Sequence, residues 1–239
     1  MAYAYDLEQP TGGKTLGLIV LKSDETIEQD FRRLFPSRDI ALHITRVQSA
    51  PEVTRDTLAQ MEGDLPGAAA MFPDAVRFDA VGYGCTSGTS VIGVARIAEL
   101  VRGGCTTHHV SEPVSGLVAA CRARGIKRLA FLSPYIEPVS RTLREVLARE
   151  GIETPVFGSF DEAREEAVVR ISGASVHAAA MDLAKGAQVD GVFLSCTNLR
   201  TLDVIPGLQA ALGLPVLSSN LVLAWHMAQL TGAPTLAEV

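Results

Sequence analysis

The stretch DAVGYGCTSGT (Asp79–Thr89) is echoed by DGVFLSCTNLRT (Asp190–Thr201). In each, an Asp stands six residues ahead of a Cys-Thr pair, and Cys85 and Cys196 lie 111 residues apart in a chain of 239. Both cysteines end a short apolar run of the kind that forms a buried strand. Sliding the chain by that interval lays Asp79 on Asp190 and the segment 40–47 on 151–158, and it puts Asp24 on Tyr135. The spacing predicts two copies of one lobe.

Working outward, strands are expected at 15–21, 40–47, 78–84, 105–110, 128–134, 153–158, 190–195 and 215–219. Amphipathic patterns at 26–35, 54–72, 90–103, 113–125, 138–151, 175–188 and 222–230 read as helices between and after them. Continuous apolar strands alternating with helices argue for parallel sheets covered on both faces. The expected fold is α/β, with two pseudo-symmetric lobes, each a four-stranded parallel sheet flanked by helices. Residues 1–14 read as a flexible arm, 15–112 as the first lobe and 113–221 as the second. The segment 222–239 is expected to pack on the first lobe.

Composition narrows the function. A hydrophobic fraction of 47% and a charged fraction of 20% suit a globular core. A net charge of −6 without a basic cluster, and 5% aromatics, argue against nucleic acid as a partner. No apolar run reaches the ~18 residues that cross a bilayer, and MAYAYDLEQPTGGK does not read as a signal peptide, so a cytoplasmic protein is expected. The four cysteines, at 85, 105, 121 and 196, fit neither a zinc signature nor a disulfide framework. His108 and His109 are adjacent on a strand and point to opposite faces, so no metal site is expected there. GCTSGTSVIG matches no phosphate or dinucleotide fingerprint, and no cofactor is expected.

Cys121 sits in an amphipathic helix and Cys105 at a strand start, and both read as small buried hydrophobes. Cys85 and Cys196 each end a strand and precede Thr and an expected helix start. A helix N-terminus would stabilise a thiolate. Thr86, Ser87, Thr197 and Asn198 supply hydrogen-bonding groups around a carboxylate ligand. In parallel α/β sheets, ligands bind at the carboxyl ends of strands. Asp24, Cys85, Tyr135 and Cys196 all lie at such ends, so facing lobes would bring them to one cleft. Two facing thiols suit proton removal on one face of a carbon and delivery on the other. They equally suit thiolate addition to a double bond followed by protonation and elimination.

On GYGCTSGT, SPYIEP and SCTNLRTLDVIP, the chain resembles the aspartate/glutamate racemase superfamily from about Leu16 to Leu230. Within it, the chain is similar to the branch of maleate cis–trans isomerase and arylmalonate decarboxylase. The resemblance implies a cofactor-independent isomerase, an active site between lobes, and a dimer or larger homo-oligomer. It makes Cys85 the nucleophile or base, Cys196 the partner acid, and Tyr135 a ligand for a substrate carboxylate. Arylmalonate decarboxylases keep only the second cysteine, whereas this chain has both. Where maleate isomerases carry Asn after the first strand, this chain has Asp24. A second family Asn corresponds to an acidic residue read as Glu166. Ionised acids only accept hydrogen bonds, which shifts the expected substrate from a dicarboxylate towards an amino-bearing carboxylate. Asp24 also reads as a helix cap. SDETIEQDF and GYGCTSGT are similar to a group found in ectoine utilisation, which implies diaminobutyrate derivatives as substrates. The alternatives are maleate isomerisation proper, malonate decarboxylation through Cys196, and a small-acid binding module without catalysis.

Overall fold

A computed structural model of the chain describes residues 1–7 and 13–239. The expected arm at 1–14 thus falls partly outside the described residues. The first sheet contains β1 (Lys14–Leu21), β2 (Ile40–Val47), β3 (Arg77–Gly84) and β4 (Thr106–Ser111), in the order β2-β1-β3-β4. The second contains β5 (Arg128–Ser133), β6 (Glu153–Ser159), β7 (Gly191–Leu194) and β8 (Val216–Ser218), in the order β6-β5-β7-β8. All pairings are parallel. The two sheets share one topology, as the duplicated motif requires.

The helices are α1 (Ile27–Leu34), α2 (Arg55–Ala69), α3 (Thr86–Ile92), α4 (Val94–Gly104), α5 (Pro113–Arg124), α6 (Glu137–Arg149), α7 (Glu165–Val168), α8 (Gly173–Ala184), α9 (Ile205–Leu212) and α10 (Ser219–Thr231). The single helix expected over 90–103 is two helices. Gly93 separates them at a φ of 96°, a conformation that side chains disfavour.

The central strands are apolar along their length because helices cover both faces. Leu16, Leu18, Ile19 and Val20 of β1 and Leu129, Ala130 and Phe131 of β5 are fully buried. The repeated aspartates explain themselves here. Asp79 accepts from the Thr15 N–H at 2.8 Å, and Asp190 accepts from the Lys127 and Arg128 N–H groups at 2.9 and 2.8 Å. Each pins the start of the central strand of its own sheet, satisfying backbone donors that the ladder leaves over. The Asp end of the motif is therefore conformational.

Helix α10 joins the halves. It packs on β3 and β4 as well as on α5 and α1, and His226 Nδ1 is 2.8 Å from Ser111 Oγ. On its other side Val222 enters the apolar cluster of α5, β5 and β7. α5 and α10 touch backbone to backbone at Gly116, where a Cβ would lie 2.5 Å from the Val222 carbonyl oxygen. Beyond α10, the Leu236 N–H and the Thr235 hydroxyl both donate to Leu34 O at 2.8 Å.

Candidate active site

Four loops at the carboxyl ends of β1, β3, β5 and β7 meet between the sheets. Together with residues 53–58 and α7 they enclose a cavity of about 10 Å³, lined by Leu21, Val53, Leu58, Cys85, Thr86, Ser87, Tyr135, Glu165, Cys196 and Thr197. Both strand-end thiols therefore open into one chamber.

The two cysteines stand in unlike backbone. Cys85 is the N-cap of α3, and its Sγ accepts from the Gly88 N–H at 3.2 Å. Cys196 was expected to precede a helix as well, but residues 197–204 form a loop and α9 begins only at Ile205, with Pro206 in its first turn. Pro is at home in a first turn and obstructs a helix interior. Cys196 itself has a φ of 102°. A non-glycine residue held there stores strain, a pattern that concentrates at functional sites. The surroundings over-determine it: its N–H donates to Ser219 Oγ at 3.0 Å, and its Sγ accepts from the Asn198 N–H at 3.3 Å.

The lowered thiol pKa expected from helix N-termini is also corrected. Burial pushes the Cys85 thiol up to about 12, with the Glu165 charge adding to it, against the lowering pull of the Gly88 N–H. Burial, then Glu165, likewise raise Cys196 well above the ordinary thiol range. At Cys85 desolvation outweighs the helix-end dipole.

The acidic residue facing the thiols is Glu165, not Glu166. Glu165 is 2% exposed and lines the chamber, while Glu166 is exposed. The one-turn helix α7 buries Val168, and the residue three positions before it shares its face. Val169 is buried as well, so spacing alone does not separate 165 from 166; the pairing of 163–165 with 51–53 does. Tyr135 donates to Glu165 Oε1 at 2.6 Å, and Asn198 Nδ2 donates to Oε2 at 2.8 Å. Tyr135 Oη also lies 3.0 Å from Cys196 Sγ. With its own proton committed to Glu165, the tyrosine receives the Cys196 S–H.

Asn198 and Asp24 sit one layer behind the chamber. Asn198 Oδ1 accepts from the Glu25 N–H at 2.9 Å, so both ends of its amide are occupied. Asp24 Oδ1 accepts from the Thr26 and Ile27 N–H groups, each at 2.8 Å, and so caps α1. Its Oδ2 is buried without a hydrogen-bond partner. Burial raises the pKa of Asp24, and it raises that of Glu165 also. Arg46, a residue that sequence reasoning passed over, donates to the carbonyls of Leu21, Lys22 and Asp24 at 2.9, 3.1 and 3.0 Å and fixes this loop. Ser219, also unforeseen, ties the cysteine loops together, because Thr86 Oγ1 donates to it at 2.8 Å. The Thr197 hydroxyl crosses to Gly84 O at 3.2 Å.

The chamber is closed by a crossing of the two halves. The Val53 N–H donates to Ala163 O at 2.9 Å and the Glu165 N–H to Pro51 O at 3.1 Å, with Glu52 and Arg164 paired antiparallel between them. Outside this crossing lies a vestibule of about 430 Å³ that carries Glu25, Glu52 and Glu166, and Glu165 lines it too. Among the described residues, no group of three His, Cys, Asp or Glu side chains is placed to hold a metal ion, and no helix is long and apolar enough to cross a membrane.

Two strand-end thiols share one chamber between two parallel sheets of the same topology, the arrangement of an α/β enzyme with its site between the sheets. The family model described as arylmalonate decarboxylase matches residues 104–239, and the chain belongs to that family. It is 34% identical over 112 residues to an arylmalonate decarboxylase of Bordetella bronchiseptica, a match covering 46% of this chain and 47% of that one. A maleate isomerase of Nocardia farcinica is 26% identical over 219 residues, covering 87% of this chain and 86% of the relative. The crystal structure of a maleate isomerase from Pseudomonas putida superposes with a TM-score of 0.84 at 23% identity, covering 94% of this chain and 96% of that one. The fold is thus that of the maleate isomerase and arylmalonate decarboxylase structures.

Proposed function

We propose that this enzyme is a cofactor-independent two-thiol isomerase or racemase whose substrate is a small carboxylate that also bears an ammonium group. The observation that carries this reading is the lining of the chamber. Cys85 and Cys196 share it with the carboxyl of Glu165, and among the described residues no cationic side chain lines it. A dicarboxylate would bring two more negative charges to a buried acid. An ammonium group would instead meet Glu165, and the substrate carboxylate would meet the Ser87 hydroxyl.

Cys196, which donates to Tyr135, is the proton-bearing partner. Cys85, supported by the Gly88 N–H, is the base once its proton is lost. The arriving positive charge opposes the effects that hold the Cys85 proton, so ionisation is tied to substrate binding. Cys85 then removes the proton beside the carboxylate while Cys196 delivers one from the opposite face. Diaminobutyrate derivatives, as in ectoine utilisation, belong to this substrate class.

A second reading is favoured by the relatives matched over most of the chain, which are maleate isomerases. There the Cys85 thiolate adds to the double bond, Cys196 protonates the neighbouring carbon, and rotation with elimination completes the exchange. Proton NMR in D2O separates the two readings, using maleate, aspartate, glutamate, diaminobutyrate and its N-acetyl derivatives. Loss of an α-proton signal from an amino acid supports the first reading. Fumarate appearing from maleate, with every amino acid unchanged, overturns it in favour of the second.

A further inference from the structure

The chamber has room for about one water molecule, and the crossing of 51–53 with 163–165 shuts it off. Yet the buried Cys196 thiol is not isolated. Its sulfur is 3.0 Å from Tyr135 Oη, which lies 2.6 Å from Glu165 Oε1. Glu165 borders both the chamber and the solvent-open vestibule beyond the crossing. Both oxygens of this carboxyl group are engaged. Asn198 donates to Oε2, and its amide cannot turn over because Oδ1 holds the Glu25 N–H. Oε1 accepts from the Tyr135 hydroxyl, whose one proton is thereby used, so Tyr135 Oη is left to receive the Cys196 S–H.

From this geometry we infer that Tyr135 and Glu165 form a proton relay that connects the Cys196 thiol to vestibule water while the chamber is closed. In the outward step the Cys196 S–H proton passes to Tyr135 Oη as the tyrosine proton passes to Glu165 Oε1. This leaves a thiolate and a neutral carboxyl group, and Glu165 then releases its proton to water. The inward step is the reverse; in each transfer the bonding electron pair stays on the atom the proton leaves, and a lone pair of the acceptor forms the new bond. The raised pKa of Glu165 makes it a competent carrier, since a carboxyl that holds its proton more tightly can take it up as well as shed it. The purpose of the relay rests on the two-thiol reading: each one-way turnover leaves one cysteine short of a proton and the other with one in excess. Its existence is a property of the resting protein.

The test therefore needs no substrate. The protein is transferred into D2O, and the infrared S–H bands are followed as they become S–D. The Cys196 band is assigned by its absence in Cys196→Ser. Cys121, buried at 0% exposure and outside the relay, is the internal reference. The Cys196 S–H should exchange faster than Cys121 by on the order of tenfold or more, because only Cys121 has to wait for local unfolding. Glu165→Gln should slow Cys196 exchange by a similar factor, and Glu165→Asp should restore part of it. Gln places an N–H donor against Asn198, so Tyr135→Phe serves as a second variant that cuts the same chain. Backbone amide exchange at Cys196, unchanged across the variants, shows that the loop has not simply loosened. Equal exchange of Cys196 and Cys121 in the unmodified protein, or undiminished exchange in both Glu165→Gln and Tyr135→Phe, overturns the relay. Failure of every compound in the NMR panel, with fast exchange retained, would refute the substrate class and leave the relay standing.

Discussion

Replacing Asp30 by Asn should stabilise the protein, and by an amount that grows with pH. Asp30 lies on α1, is 5% exposed, and accepts from Asn220 Nδ2 at 2.8 Å, while the same amide nitrogen donates to Thr197 O beside Cys196. Burial, the largest cause, raises its pKa from 3.8 to about 6, against the lowering effect of Asn220. A carboxyl whose folded pKa is raised costs nothing where both states are protonated. It destabilises the fold as pH climbs from the unfolded value through the folded one. At pH 8 the full shift amounts to about 3 kcal/mol, and about 1 kcal/mol of that is already present at pH 4.5. Asp30 also borders a pocket of about 280 Å³, so solvent screening makes these upper figures. Asn cannot ionise, keeps an acceptor for Asn220 Nδ2, and brings an N–H towards Asn220 Oδ1, which is buried without a partner. Urea unfolding of both proteins at pH 4.5 and pH 8 measures the effect, with the slope checked for equality. The stability gap should widen by about 2 kcal/mol between the two pH values. A gap that is the same at both would refute the assignment of a raised pKa to Asp30.

Cys85→Ser and Cys196→Ser should each abolish interconversion of enantiomers, followed by polarimetry, while leaving the melting temperature within a few degrees. Activity surviving in either would end the two-thiol mechanism. Glu165→Gln should lower kcat/KM for an amino-bearing substrate by on the order of 100-fold, because it removes the carboxylate that pairs with the ammonium group; steady-state kinetics on the active member of the panel would show it. Arg46→Lys loses the second guanidinium nitrogen, which pairs with Glu28 while Nη1 holds the loop carbonyls, and urea unfolding should report a loss of about 1–3 kcal/mol. Gly116→Ala sets a methyl against the Val222 carbonyl and should cost about 2–3 kcal/mol by the same measurement, through separation of α5 from α10.

The sheets were legible because their signals are local. Apolar runs ending in Asp-x5-Cys recur at one interval, and every strand lies within a few residues of its expected place. The convergence of Cys85, Tyr135 and Cys196 followed from the rule that strand ends line the cleft. What escaped depended on partners distant in sequence. Glu165 turns inward because the backbone at 163–165 pairs with residues 51–53, more than a hundred positions earlier. The loop after Cys196 replaces a helix because Asn198 spends its side chain on Glu25 and Glu165 instead of capping. The thiol pKa values were misjudged because desolvation is set by the closed chamber, which no single segment encodes.

The crossing of α10 onto the first sheet bears on how the protein is made. Its residues are translated after all eight strands, yet they cover β3 and β4, which leave the ribosome more than a hundred residues earlier. Until α10 arrives, one face of the first sheet stays wet, and Ser219 is not there to tie Thr86 to the Cys196 loop. A nascent chain can thus form most of its strands while its two thiols remain unassembled. Fragments cut at the repeat boundary would carry complete sheets and an incomplete catalyst, and reuniting them would have to restore that last helix to the half it was not made with.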